Sequence, residues 1–337
     1  MKKTLVSIVM VVLGVILFGS CENKTAEPMQ KKGSCGKTLE MLLVADRDVY
    51  CGNTKQLIDT LFTHPQEAFL TPEPIFDLVN IPTSSFHNTD MFQAHRNVVM
   101  CDIKPDNPNK VYKYADRWSS PQIVFEFAVT DRKTLDSFLV KYAPMVIDEM
   151  YNAEYRRIIK AFAGIKGVEL MHKVKDVFGF ELTFSDEFEI AKMSDDFAWI
   201  RKETKDFGIG VLIQTLPYTD KKQFDLETVL NNLDITMKNN VPGPADSSYM
   251  GTERRWEFVH RPITLAGQYA TETRGMWRTF GDFMGGPFVC YTLVNPNNKQ
   301  LVMLTAYTYS PRNTKSAPYA KRDHLMQVDG ICRSITF

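Results

Sequence analysis

The alternation of apolar and polar positions divides the chain into an apolar start, a polar stretch and a long body of mixed strand and helix periods. Residues 5–18 are apolar apart from Ser7 and Gly14, Lys2 and Lys3 precede them, and Gly19, Ser20 and Cys21 close the run. Residues 22–38 are polar, contain Pro28, Gly33 and Gly36 and show no apolar period, which predicts a flexible tether over 21–38. The body opens with an expected strand at 39–45 and a helix from about Thr54, with Leu57, Ile58, Leu61 and Phe62 on one face. Pro65, Pro72 and Pro74 forbid regular structure until a strand at 75–81. Further strands are expected at 97–103 and 122–129, the second so apolar at Ile123, Phe125 and Phe127 that both its faces should be buried beneath a helix. Thr130 and Asp131 cap that helix. Its stripe runs through Leu135, Phe138, Leu139 and Tyr142, bends or restarts at Pro144, and resumes through Ile147, Met150, Ile158, Ile159 and Phe162.

Gly164 and Gly167 loosen the chain, and a short helix over 168–178 follows. Strands at 180–184, 188–191, 197–202 and 209–216 are spaced as an antiparallel meander. A helix over 226–238 turns Val229, Leu230, Leu233 and Met237 inward and ends at the Pro-Gly-Pro of 242–244. Along 267–280, Tyr269, Thr271, Thr273 and Trp277 share one face of a strand, and Glu272, Arg274 and Arg278 the other. A hairpin over 288–294 and 301–309 and a closing helix over 323–335, weakened at Gly330, complete the chain. The fold class is therefore α+β, mainly antiparallel sheets covered by helices, in two halves, 39–165 and 166–337.

The apolar start changes the picture most. A cationic pair, an apolar core too short for a comfortable span of roughly 20 residues, and small residues ahead of a cysteine are the pattern of a lipoprotein signal peptide, residues 1–20, with Cys21 as the acylated residue. Acyl chains, palmitate among them, contribute about 0.8 kcal/mol per buried methylene, so two or three would hold the body at a membrane. Removing 20 of 337 residues leaves 317. It also removes Lys2 and Lys3, so 38 basic residues face 40 acidic ones. A balance of −2 gives nothing that favours nucleic acid, whose binding rests on clustered positive charge, and no such partner is expected. Arg156, Arg157 and Lys160 form a basic cluster on the long helix, expected to be a solvated face, with anionic lipid head groups as the alternative. Glu22 and Lys24 after Cys21 supply no acidic export tag for the cell surface; the expected place is the outer membrane with the body facing the periplasm, the inner membrane being the alternative.

Five cysteines remain beyond Cys21, an odd number without C-x-x-C spacing; buried or idle thiols are expected, with a Cys35–Cys51 bridge as the alternative. The histidines are scattered without metal-ligand spacing, so no metal and no cofactor are expected. No nucleophile elbow, phosphate loop or dinucleotide fingerprint is present, and Ser34-Cys35-Gly36-Lys37 lacks the companion motifs of acyl enzymes. No catalytic residue is nominated. The candidate ligand residues are Arg274, Trp277 and Asp282, around a segment whose Gly285-Gly286-Pro287 implies a tight turn or bulge and whose functional reading is the lip of a groove for a sugar or peptide.

The run RGMWRTFGDFMGGPFV from Arg274 to Val289, with Asp195-Asp196-Phe197-Ala198-Trp199, Arg96-Asn97 and Lys321-Arg322, resembles an uncharacterised bacterial lipoprotein family known only as a domain of unknown function. Met276 departs from the Leu expected there, a tolerated swap in packing. The resemblance implies a lipid-anchored envelope protein and supplies no reaction. Three readings follow. The first is a non-catalytic interaction or envelope-maintenance module with a protein partner. The second is a binder of glycan, peptide or lipid using Trp118, Trp199, Trp256 and Trp277. The third is an envelope hydrolase. A pocket whose walls carry two or more of those tryptophans would favour the second, convergent carboxylates or histidines with shifted pKa values in a cleft the third, and a smooth core with one exposed apolar patch the first.

Overall fold

The computed structural model describes residues 31–311 and 320–337; the signal peptide, Cys21 and the first part of the tether lie outside them. Chain order is β1 (Lys32–Gly33), β2 (Glu40–Val44), α1 (Gly52–Phe62), β3 (Asp77–Ile81), α2 (Thr83–His87), α3 (Asp90–Gln93), β4 (Asn97–Ile103), β5 (Lys110–Ala115), β6 (Ser119–Ser120) and β7 (Ile123–Val129). There follow α4 (Arg132–Gly164), α5 (Val168–Phe178), β8 (Glu189–Met193), β9 (Phe197–Glu203), β10 (Gly208–Pro217), a 3-10 turn (Lys221–Phe224) and α6 (Leu226–Asn240). The chain closes with β11 (Tyr249–Thr252), β12 (Val259–Leu265), β13 (Gln268–Phe280), β14 (Gly285–Val294), β15 (Gln300–Tyr309) and α7 (Ala320–Arg333).

The first half is a five-stranded sheet in the order β3-β2-β4-β7-β5. Three of its pairings are parallel and only β5–β7 is antiparallel. The reason is visible in the side chains. Met41, Leu43, Val99, Phe125 and Phe127 face α1 and α4, while Leu42, Val44, Val98, Met100 and Val124 face a second cluster holding Phe86 and Trp118. Strands buried on both faces are the parallel kind.

The second half is one antiparallel sheet, β11-β13-β14-β15-β10-β9-β8. Long β13 carries β12 along its first part and β11 along its last part on one edge, and β14 on the other. Ile200, Val211, Tyr291 and Leu304 face α5 and α7; Leu212, Cys290 and Met303 face α6 through Val229, Leu230, Leu233 and Met237. Helix α7 also meets α4, with Met326 entering the core of the first half. The mostly antiparallel α+β class therefore holds for the molecule, with a parallel sheet in its first half.

Several expectations change. Pro144 does not restart the helix: α4 is continuous over 33 residues and capped by the Asp131 carboxylate accepting from the Thr134 N–H at 2.9 Å. No strand forms at 180–184. Phe180, Leu182 and Phe184 are buried under α7, and only Glu181 bridges, to Thr336. The stretch read as tether through residue 38 is part of the fold from Lys32 onward, because Lys32 and Gly33 pair with Ser119 and Ser120 and Cys35 bridges to His95. Cys35 and Cys51 are both free, their thiols donating to the carbonyls of Met91 and Asp48. Of the three basic residues on α4, Arg156 and Lys160 are exposed as expected, whereas Arg157 is half-buried, clamped to Glu154 at 2.8 Å and to the Arg96 carbonyl at 2.8 Å.

Candidate functional site

A cleft of about 520 Å³ opens beneath the β13–β14 turn, and three separate loops build it. The first is the turn itself. Gly281 takes φ +87°, the Thr279 N–H donates to the Met284 carbonyl at 2.8 Å, and the Asp282 carboxylate accepts from the Phe283 N–H at 2.5 Å. An aspartate bonding its own turn fixes the backbone there, and the consequence is that Phe283 stands fully exposed at the tip. At the root, a Cβ on Gly286 would meet the Thr308 carbonyl oxygen at 2.0 Å, so only glycine lets β14 lie this close to β15. The segment read as a turn or bulge is thus a turn followed by a regular strand, Trp277 opposite Gly286 and Arg278 opposite Gly285.

The second loop links β11 to β12. Asp234 of α6 moors it, accepting from the Thr252 N–H and hydroxyl at 2.7 Å each and from Arg254 at 2.8 Å. Trp256 projects from it, 48% exposed. Glu253 accepts from Arg255 at 2.6 Å and Arg278 at 3.3 Å. Those hydrogen bonds, Arg255 first, outweigh burial and bring its carboxyl down to about 2.

The third loop comes from the first half, between α1 and β3. The Gln66 N–H donates to the Glu73 carbonyl and the Ile75 N–H to the His64 carbonyl, closing the excursion. Arg261 of β12 grips Glu67 at 2.9 Å, and Phe69 packs on the core of the antiparallel sheet. Leu70, 54% exposed, and Thr71 then reach the cleft wall, joined by Lys321 at the start of α7.

Directly behind lies a buried ionic network. Glu272 accepts from Arg261 at 2.6 Å, Arg274 at 2.9 Å, Arg333 at 2.7 Å and Tyr291 at 3.2 Å; Asp329 accepts from Tyr155 at 2.7 Å and Tyr291 at 2.5 Å. Burial alone would push the Glu272 carboxyl up, but Arg274, Arg333 and Arg261 hold it well below the usual range. Its adjoining cavity, about 10 Å³, has room for one water at most. The network ties α4 and α7 to β13 and β14.

Residues 168–334 match the family model described as Domain of unknown function (DUF4837), and residues 34–163 match a second, Domain of unknown function (DUF8532). Both matches are to domains of unknown function. No curated protein matches it. Among solved structures, LpqN of Mycobacterium tuberculosis, described as involved in cell envelope biogenesis, aligns at 15% identity and TM-score 0.28 over 47% of this chain and 82% of that one. A mutant of the protein Mog1 aligns at 13% identity and TM-score 0.27, over 47% and 89%.

Both candidate residues Trp277 and Asp282 of the DUF4837 region line the cleft, whereas Arg274 does not. Three residues apart on a regular strand, Trp277 and Arg274 point to opposite faces of the sheet. Trp277 is only 3% exposed and its indole N–H is already spent on the Thr308 carbonyl at 3.1 Å, so it is mainly a core residue beneath the cleft. Trp118 packs on Phe86 and Trp199 donates to the Tyr307 hydroxyl at 2.7 Å, both away from the cleft. Phe283 and Leu70 went unnominated. The signal available was apolar residues in loops bounded by Gly281 and Gly285 or by Pro65 and Pro72, where nothing local can bury them. The DUF8532 region enters the site only through Phe69, Leu70 and Thr71. Among the described residues no group of His, Cys, Asp or Glu could hold a metal, and no helix is long and apolar enough to cross a membrane.

Proposed function

We propose that the chain is a lipid-anchored, non-catalytic interaction module of the bacterial cell envelope, held by acyl groups on Cys21 at the outer membrane with its body facing the periplasm. Its contact surface is the cleft beneath the β13–β14 turn. The observation that supports this most is the make-up of the rim: Phe283, Trp256 and Leu70 are exposed from three different loops around one concavity. Apolar groups so gathered mark a binding surface. The carboxylates beside them are already engaged. Glu253 is held ionised by Arg255 and Arg278 and makes a poor proton donor at neutral pH, and Asp282 serves its own turn. This arrangement suits adhesion better than hydrolysis.

A second reading, a binder of glycan, peptide or lipid, draws on Trp256 and Trp277 both lining the cleft. Photocrosslinking tests the main reading. A photoreactive residue at position 283 in intact cells is expected to give light-dependent adducts, and one at Ile235, exposed on α6, is not; equal adduct yields at the two positions would discard the cleft. For the anchor, Cys21→Ala is expected to release the protein from membranes, and mass analysis of the wild type to show acyl groups. Unchanged partitioning with an unmodified Cys21 would remove that half of the proposal.

A further inference from the structure

Resting on the cleft as the contact surface, we propose that its rim docks onto the phospholipid bilayer itself, Phe283, Leu70 and Trp256 entering the headgroup boundary while Arg255, Arg278 and Lys321 face anionic headgroups. Shape is the first support. Phe283 protrudes from a four-residue turn with nothing beside it to cover the ring, and Leu70 and Trp256 stand out from two other loops. A rim of separate apolar tips fits a soft, extended apolar phase that needs no matching contour.

Composition is the second. Trp and Phe beside Arg and Lys is the pairing that partitions to the boundary between water and hydrocarbon, the rings at headgroup level and the cations toward phosphate. The net charge is small, since Arg255, Arg278 and Lys321 are set against Glu253 and Asp282, and Lys321 also lies 3.8 Å from Glu73. Apolar insertion rather than charge must therefore dominate, and docking should weaken only modestly with salt.

The third is where the chain starts. Parallel strands β2, β3, β4 and β7 begin at one end of their sheet, and both the loop carrying Leu70 and the entering segment from Lys32 to Thr38 lie at that end. The Thr38 carbonyl accepts from Arg322, the neighbour of Lys321 on the cleft wall, at 3.4 Å. Ten residues lie between Cys21 and Lys32, and the eleven chain steps from one to the other reach at most roughly 40 Å. A chain held in the bilayer at its start thus keeps the rim at high effective concentration over the same surface, so individually weak apolar contacts suffice.

The test uses the full chain inserted in vesicles of phosphatidylethanolamine and phosphatidylglycerol, with and without brominated acyl chains. Trp256 emission is isolated by difference against Trp256→Phe. Brominated lipid is expected to quench Trp256, and Phe283→Ser with Leu70→Ser to cut the rim's bilayer contact roughly tenfold or more, the scale of losing two apolar side chains. Ile235→Ser, a surface change on α6, is expected to leave quenching as it was. Identical Trp256 emission in the two kinds of vesicle overturns the proposal. A protein adduct at position 283 in cells without such quenching would also overturn bilayer docking while leaving the interaction module standing; no adduct and no quenching removes both.

Discussion

Glu272 shows how much one side chain can hold. It accepts from three arginines and a tyrosine at a site almost closed to water, and deleting one partner of such a set leaves the others charged and unmatched. Glu272→Gln is expected to cost about 3 kcal/mol, read as a lowered urea midpoint with an unchanged slope. His324 gives a pH signature. Burial, with Lys202 nearby, lowers it to about 4, and its ring stacks on Phe207 at 3.9 Å. Unfolded, it titrates near 6.5, so between about 6.5 and 4 the unfolded chain binds the extra proton and stability falls as pH falls. His324→Phe is expected to reduce the slope across that window in pH-dependent melting, His260, also lowered by burial, supplying the remainder. The fall from Glu253 and Glu272 comes later, once pH drops below the unfolded carboxylate value of about 4.3. Strand alternation already placed Glu272 with Arg274 on one face of β13 and Trp277 on the other; what it could not supply was the third dimension. Arg333 and Asp329 arrive from α7 and Tyr155 from α4, far away in sequence.

At the scale of elements, periodicity located helices and hairpins well because each follows from local sequence. Helix α5 occupies the residues expected of it, and α6 buries Val229, Leu230, Leu233 and Met237 as expected. It failed where burial did not mean pairing. Phe180, Leu182 and Phe184 alternate like a strand, but their partners are helices α5 and α7. Edge strands β5 and β12 went unseen because few of their residues are buried. Pro144 is the informative exception. It stands on the exposed side of α4, where water can serve the carbonyl it leaves unpaired, so packing of Leu139, Ala143 and Val146 outweighs its cost. Pro144→Ala restores a backbone donor with no packing lost and is expected to raise stability by about 1 kcal/mol or more, measured by thermal or denaturant unfolding.

Across the whole molecule, the two family regions meet through α4 and α7. Tyr155 donates to Asp329, Arg322 is buried against Glu73 and Pro74, and Arg261 holds Glu67. Residues Lys32–Phe337 accordingly form one compact unit, and calorimetry is expected to show a single transition; two resolved transitions would mean that this interface adds little. The cleft is a product of the same contact, its third loop being lent by the first half, which is why motif reading reached Trp277 and Asp282 and missed Leu70. Footprinting bears most directly on whether this cleft is where the molecule meets its surroundings. Photogenerated carbene labels exposed side chains in intact envelopes and in the isolated protein alike. The account predicts that Phe283, Trp256 and Leu70 lose labelling several-fold in envelopes while Val140 and Ile235, exposed on α4 and α6, do not. Equal labelling of all five positions in both settings would contradict it.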